Sequence, residues 1–106
     1  MTDTVWIHQA RPRPAWYELD SATKDELLKE WRDLDARATE SGAESLGNYS
    51  IRGQSDFSTV EIWGFKSPED VFYFWADRIE ANYAVWFAFS NQLGVALPTP
   101  TGTREP

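Results

Sequence analysis

Ser58-Thr59-Val60-Glu61-Ile62-Trp63-Gly64-Phe65-Lys66-Ser67-Pro68-Glu69-Asp70 decides the fold, because the chain changes its period in the middle of this stretch. Up to Phe65 the residues alternate and are rich in β-branched and aromatic types, as in a strand. Ser67-Pro68-Glu69-Asp70 then supplies an N-cap, a first-turn proline and two first-turn acids, which mark a helix start. Val71, Phe72, Trp75, Ala76 and Ile79 continue as one apolar stripe that fades near Glu80-Ala81-Asn82.

Upstream, Leu46 to Arg52 reads as a partner strand, joined to Ser58–Phe65 through the turn formers Gly53-Gln54-Ser55-Asp56-Phe57. Before it, Leu27, Leu28, Trp31, Leu34 and Ala38 fall at helical spacing. Thr23-Lys24-Asp25-Glu26 offers a capping box and Gly42 a stop. The charges on the other faces of that helix, from Lys24 and Asp25 to Asp35 and Arg37, form an ordinary solvated surface and receive no function. Val5-Trp6-Ile7-His8-Gln9 reads as the first strand, followed by a stiff loop at Arg11-Pro12-Arg13-Pro14. Tyr83 to Ser90 is a short apolar run read as a fourth strand, with an extension of the second helix as the alternative.

The order β-α-β-β-α-β predicts an α+β, ferredoxin-like domain: a four-stranded antiparallel sheet with two helices on one face. Residues 1–97 are expected to form this single domain and 98–106 a disordered tail. A turn centred between Ser55 and Asp56 pairs Ile51 with Val60 and Tyr49 with Ile62, toward the helices. Alternation then sends Val5, Ile7, Phe87 and Phe89 the same way. The opposite, uncovered face is expected to carry Trp6, His8, Asn48, Arg52, Glu61, Trp63 and Trp86. Tryptophans in water are an aggregation liability, so a second copy of the chain is expected to cover them.

Composition narrows the function. Seventeen acidic against ten basic residues give a net charge of −7, which repels phosphate backbones and anionic lipid, so neither nucleic acid nor membrane is an expected partner. No apolar run approaches the roughly 18 residues of a membrane helix, and the first residues lack the pattern of a leader, so the expected location is cytoplasmic. Cysteine is absent and there is one histidine. That removes disulfides, thiol nucleophiles, iron–sulfur clusters and multi-histidine metal sites within a chain. Six Trp, six Phe and four Tyr are more ring bulk than 106 residues comfortably hide, which points to a ligand cavity or a subunit contact.

Val60-Glu61-Ile62-Trp63-Gly64-Phe65-Lys66-Ser67-Pro68-Glu69-Asp70-Val71-Phe72 is similar to the strand-to-helix junction of antibiotic-biosynthesis and haem-degrading monooxygenases of the dimeric α+β barrel superfamily. Pro14-Ala15-Trp16-Tyr17-Glu18-Leu19-Asp20-Ser21 resembles the segment before the first helix of darcynin-like short barrel proteins. The resemblance spans residues 5–94. It implies two protomers pressing their open sheet faces together around a small-molecule cavity. In the monooxygenases an Asn, a Trp and a His or Tyr surround that cavity; here Asn48, Trp63 and His8 are of those types. The helix after Pro68 carries no histidine, which counts against haem ligation or degradation.

The expected function is catalysis without metal or other cofactor on a planar aromatic or carbonyl-containing metabolite, of isomerase, cyclase or cofactor-independent monooxygenase type. A non-catalytic binding protein for such a metabolite is the alternative. His8 titrates nearest neutrality and is the natural proton shuttle. Glu61, if dry and unpaired, has a raised pKa and acts as a base; otherwise it forms a diagonal ion pair with Arg52. Arg52 is the candidate for neutralising an enolate, phenolate or carboxylate. Trp6, Trp63 and Trp86 are candidates for stacking on a flat substrate, Asn48 and Tyr83 for contacting it, and Tyr83, Asn91 and Gln92 lie where they reach a cavity mouth.

Overall fold

The computed structural model describes residues 3–53 and 55–98. The chain runs β1 (Thr4–Pro12), α1 (Pro14–Tyr17), α2 (Ser21–Glu40), β2 (Glu44–Ser50), β3 (Thr59–Phe65), α3 (Pro68–Glu80), α4 (Tyr83–Trp86) and β4 (Phe87–Val95). The strands lie in the order β2-β3-β1-β4 and every neighbouring pair is antiparallel. This is the expected α+β, ferredoxin-like frame, with helices on one face and two one-turn helices added. Of the expected tail, Pro98 is exposed and 99–106 lie outside the described residues.

Local chemistry explains most element ends. Ser67 caps α3, its Oγ accepting from Asp70 N–H at 3.3 Å, with Pro68 in the first turn as expected. The cap of α2 is Asp20 rather than Thr23: Asp20 Oδ1 accepts from Thr23 N–H at 2.8 Å, which starts the helix three residues earlier than the capping box implied. Gly42 ends the turn after α2 at φ 110°, and its bare Cα lies under Lys66, whose Cε would stand 2.6 Å from an added Cβ. β1 passes through the supposed loop to Pro12. Its pairing with β3 stops at Ala10, and Arg13 N–H bonds Trp86 O at 2.8 Å. Successive amides point to opposite sides, so the donor Pro12 lacks would have faced the side that β3 has vacated.

The run Tyr83–Ser90 divides. Asn82 takes a left-handed conformation, φ 66°, and ends α3; Tyr83–Trp86 form α4; only from Phe87 is the chain a strand, which continues to Val95. The hairpin is offset by two from the expected register, with Tyr49 opposite Val60 and Gly47 opposite Ile62, and a bulge lies between Ser45 and Gly47. An even offset preserves which residues share a face.

Which face meets the helices is reversed. Trp6, His8, Trp63 and Phe65 are buried beneath α2 and α3, Trp6 at 1% and His8 at 0% exposure, whereas Val5, Ile7, Val60 and Ile62 are half-buried on the open face. Both alternating sets of β1 and β3 are apolar, so polarity does not choose between them. Bulk does: Phe74 and Trp75 of α3 meet the Trp6 ring at 5.5 and 5.9 Å, and Phe74 meets Trp63 at 5.3 Å, filling the gap between layers as aliphatic chains would not. The α3 stripe is rotated to match. Val71, Phe74 and Arg78 are buried, while Phe72 and Ile79, expected in the core, are 64% and 41% exposed. Phe87 and Phe89 face the helices as expected, on the side of Ala10 and His8.

Candidate functional site

Two polar constellations stand in this aromatic layer. The first is built on Arg78, whose place on the inward stripe of α3 buries it to 2% exposure. Its Nη1 donates to Glu61 Oε2 at 3.1 Å and its Nη2 to Glu61 Oε1 at 2.8 Å, a two-pronged pair across from α3 to β3. Nη2 also donates to Asp35 Oδ1 of α2 at 3.0 Å, and Trp63 Nε1 donates to Glu61 Oε1 at 3.1 Å. The guanidinium lies over the rings of Trp6, Phe74 and Tyr83 at 5.4, 4.9 and 5.1 Å. Its Nε is buried without a hydrogen-bond partner among the described residues.

The carboxylates respond differently to this shared cation. Burial pushes Glu61 up, but two bonds from Arg78, its charge, and the Trp63 indole outweigh that and hold Glu61 below the usual carboxylate range. Asp35 receives a single bond; burial dominates and raises it. Burial alone would lower Arg78, yet Glu61 and Asp35 raise it further, so it stays charged.

The second constellation joins β1, α4 and β4. His8 Nε2 lies 2.7 Å from Tyr83 Oη and His8 Nδ1 lies 2.6 Å from Asn91 Oδ1. Asn91 is opposite His8 in the β1–β4 register, and α4, set at an angle by the left-handed Asn82, brings Tyr83 onto the other nitrogen. Burial lowers the His8 pKa against the opposing effects of Asn91 and Glu61, so the ring is neutral at neutral pH. A neutral ring that donates from Nδ1 to the Asn91 oxygen accepts at Nε2 from the Tyr83 hydroxyl. Burial likewise raises Tyr83, which keeps its proton.

Both constellations meet at a cleft of about 490 Å³ between α2 and the β2–β3 hairpin, within the size range of small-molecule sites. Asp35, Glu61, Arg78 and Tyr83 line it together with Trp31, Phe87, Arg32 and Asn48. Of the residues expected from the sequence, Glu61, Asn48 and Tyr83 are thus brought together, and His8 stands directly behind Tyr83.

The rest are placed elsewhere. Trp6 and Trp63 are core residues beneath the helices, not on an open face. Trp86 is the half-buried last residue of α4 and not part of a strand. Arg52 is exposed beyond the end of β2, and Glu61 pairs with Arg78 instead of Arg52, because Arg78 projects from the covering helix onto the same sheet face. Sequence reading missed Arg78 and Asp35. Arg78 lies four residues after Phe74 and three after Trp75, and Asp35 four after Trp31; a charge on the bulkiest aromatic stripe of each helix was the available signal.

Haem does not fit a histidine-ligated site here: His8 is the one histidine of the sequence, and both its nitrogens are engaged. Among the described residues no group of three or more His, Cys, Asp or Glu is placed to hold a metal ion.

No family model and no curated protein matches the chain in sequence. Solved structures do match in fold. A chlorite dismutase-like protein, TA0507, is 19% identical with a TM-score of 0.74 over 92% of this chain and 45% of its own. Chlorite dismutase from Candidatus Nitrospira defluvii, in complex with imidazole, is 13% identical with a TM-score of 0.75 over 93% of this chain and 42% of its own. SnoaB, a cofactor-independent oxygenase from Streptomyces nogalater, is 14% identical with a TM-score of 0.52 over 95% of this chain and 99% of its own. The chain therefore spans less than half the length of the chlorite dismutase chains and nearly all of SnoaB. The likeness is one of fold, the α+β, ferredoxin-like frame.

Proposed function

We propose that this chain is the protomer of a homodimeric enzyme that takes a proton from a planar aromatic or carbonyl-containing small molecule, without a metal, as the opening step of an isomerisation, cyclisation or oxygen addition. The observation that carries the proposal is Tyr83, which forms part of the cleft wall and is hydrogen-bonded at 2.7 Å to a buried, neutral histidine. A phenol whose pKa is raised by burial is by itself a poor base. With His8 Nε2 behind it, the phenolic oxygen receives the substrate proton as its own proton passes to the imidazole, and no free tyrosinate forms. Glu61, held as a carboxylate, favours the imidazolium that results. Arg78, a charged group of the same cleft wall, offsets the negative charge that develops on the substrate. Trp31 and Phe87 offer flat surfaces to a flat ring.

The second protomer covers the open sheet face. The aliphatic side chains of Val5, Ile7, Val60 and Ile62 take the part that the sequence reading gave to Trp6 and Trp63. SnoaB, similar along its whole length, is an oxygenase that needs no cofactor, which supports the type of chemistry.

The test is hydrogen–deuterium exchange at the acidic carbon of 2-tetralone in deuterium oxide, read by proton magnetic resonance, because it follows the proposed step and needs no oxygen. The expected result is acceleration over buffer that falls about 10²- to 10⁴-fold in Tyr83→Phe while affinity for tetralone is kept. One feature favours a binding protein instead: Arg78 is already held by two carboxylates. Binding without exchange, unchanged in Tyr83→Phe, selects that alternative.

A further inference from the structure

His8 can serve Tyr83 as a proton acceptor in only one of its two neutral forms. If Nε2 carried the proton, it would donate to the tyrosine oxygen, and the hydrogen bond that the relay depends on would run backward. The ring has little freedom to compromise. It is wholly buried, stacked at 4.9 Å on Trp6, with Trp75 at 5.5 Å and Phe89 at 6.3 Å. The choice of form is therefore made at the other nitrogen, whose partner is Asn91 Oδ1 at 2.6 Å. Asn91 is exposed on β4 and is not among the residues lining the cleft, and its oxygen is the atom set against the ring.

We propose that Asn91 is a positioning residue: by accepting from Nδ1–H it fixes His8 in the form whose bare Nε2 faces Tyr83, and so sets the direction in which the proton moves. This rests on the reading of Tyr83 and His8 as a proton relay, but its first test does not. The charged and titratable groups facing His8 are Glu61 from β3, Arg78 from α3 and Tyr83 from α4. Asn91, on β4, is neutral. An acid at position 91 would add a second carboxylate beside a ring already near Glu61.

His8 is the one histidine of the chain, so a protein labelled with nitrogen-15 histidine gives a single imidazole spectrum. In the parent at neutral pH the proton is expected on Nδ1, with Nε2 showing the shift of an unprotonated nitrogen. Asn91→Leu should lose that preference, and Asn91→Asp should move the His8 midpoint up by more than one pH unit. The same variants then enter the tetralone assay. Asn91→Asp should move the pH–rate profile upward together with the His8 midpoint, losing activity below the new midpoint and recovering above it, a shift in profile that a merely structural residue would not cause. A parent protonated on Nε2 overturns the proposal, whether or not the variants fold. An Asn91→Leu protein that keeps the Nδ1 proton overturns it as well. Failure of the parent to exchange tetralone, with the Nδ1 proton in place and lost in Asn91→Leu, counts against the relay and leaves the role of Asn91 in setting the form of His8 supported.

Discussion

The two faces of the sheet are built from nearly the same sequence grammar and do opposite things. On β1, Trp6 and His8 alternate with Val5 and Ile7; on β3, Glu61 and Trp63 alternate with Val60 and Ile62. One set is sealed under the helices with an ion cluster inside it, and the other is left half-buried on the open face. A charge is thus tolerated in the layer that excludes water, and the layer that meets water is aliphatic. Burial of a charge requires partners, not a polar face, and α2 and α3 deliver those partners along with the rings.

The contrast can be broken most severely at Trp6. Trp6→Ala should cost about 3 to 5 kcal/mol in urea unfolding, whereas Ile7→Ala, one residue along, should cost far less in the isolated protomer. Equal losses at the two positions would mean that the faces are not distinct. Next comes Glu61→Gln, which leaves Arg78 with Asp35 alone and should cost about 1.5 to 3 kcal/mol. Arg52→Ala should be within about 0.5 kcal/mol of the parent, since Arg52 is exposed at the hairpin end.

Acid should also act through the sealed face. The pKa of His8 lies below its ordinary 6.5 in the folded chain, so the unfolded chain takes up the proton first. The stability due to the neutral ring is complete above that value and is lost as pH falls below it. Glu61, also lowered, acts in the same direction at lower pH, and Asp35, which is raised, opposes it. Tm should therefore fall between pH 6.5 and 5 in the parent and fall less in His8→Gln. On the open face the effect is on assembly: Ile62→Asp, at a half-buried strand position, should cost the protomer about 1 kcal/mol yet halve the mass seen in sedimentation. A variant that remains a dimer would place the interface elsewhere.

How far the sequence led depends on the kind of signal. The frame was legible because its marks are local: Ser67-Pro68 at a helix start, Gly42 at a helix end, and turn formers between two alternating strands. The partition of residues between faces was legible too, since an even slip of register leaves it intact. The side of the sheet was not. Alternation has no sign when both sets are apolar, and the deciding quantity, the ring volume offered by Phe74 and Trp75, belongs to a helix far along the chain. Of the candidate site, His8, Glu61 and Asn48 were named from residue type and a shared alternating face, and Tyr83 from its place beside the last strand, while Arg78 was passed over because the stripe drawn through Val71, Phe72, Trp75, Ala76 and Ile79 leaves position 78 off it.

The close packing of indoles has an optical consequence. Trp16 and Trp31 lie 5.7 Å apart at 30°, and Trp31 in turn meets Tyr83 at 5.2 Å. Transition dipoles this near and this oblique couple, and coupled indole transitions add a paired band to the far-ultraviolet dichroism that backbone spectra do not contain. Helix content read from the raw spectrum of this protein would come out wrong, and Trp31→Phe should weaken the band to what the Trp6–Trp75 pair, 5.9 Å apart, supplies, while the helices stay. The same band turns into an instrument: followed through a melt, it reports the loosening of the aromatic layer separately from the unwinding of the chain.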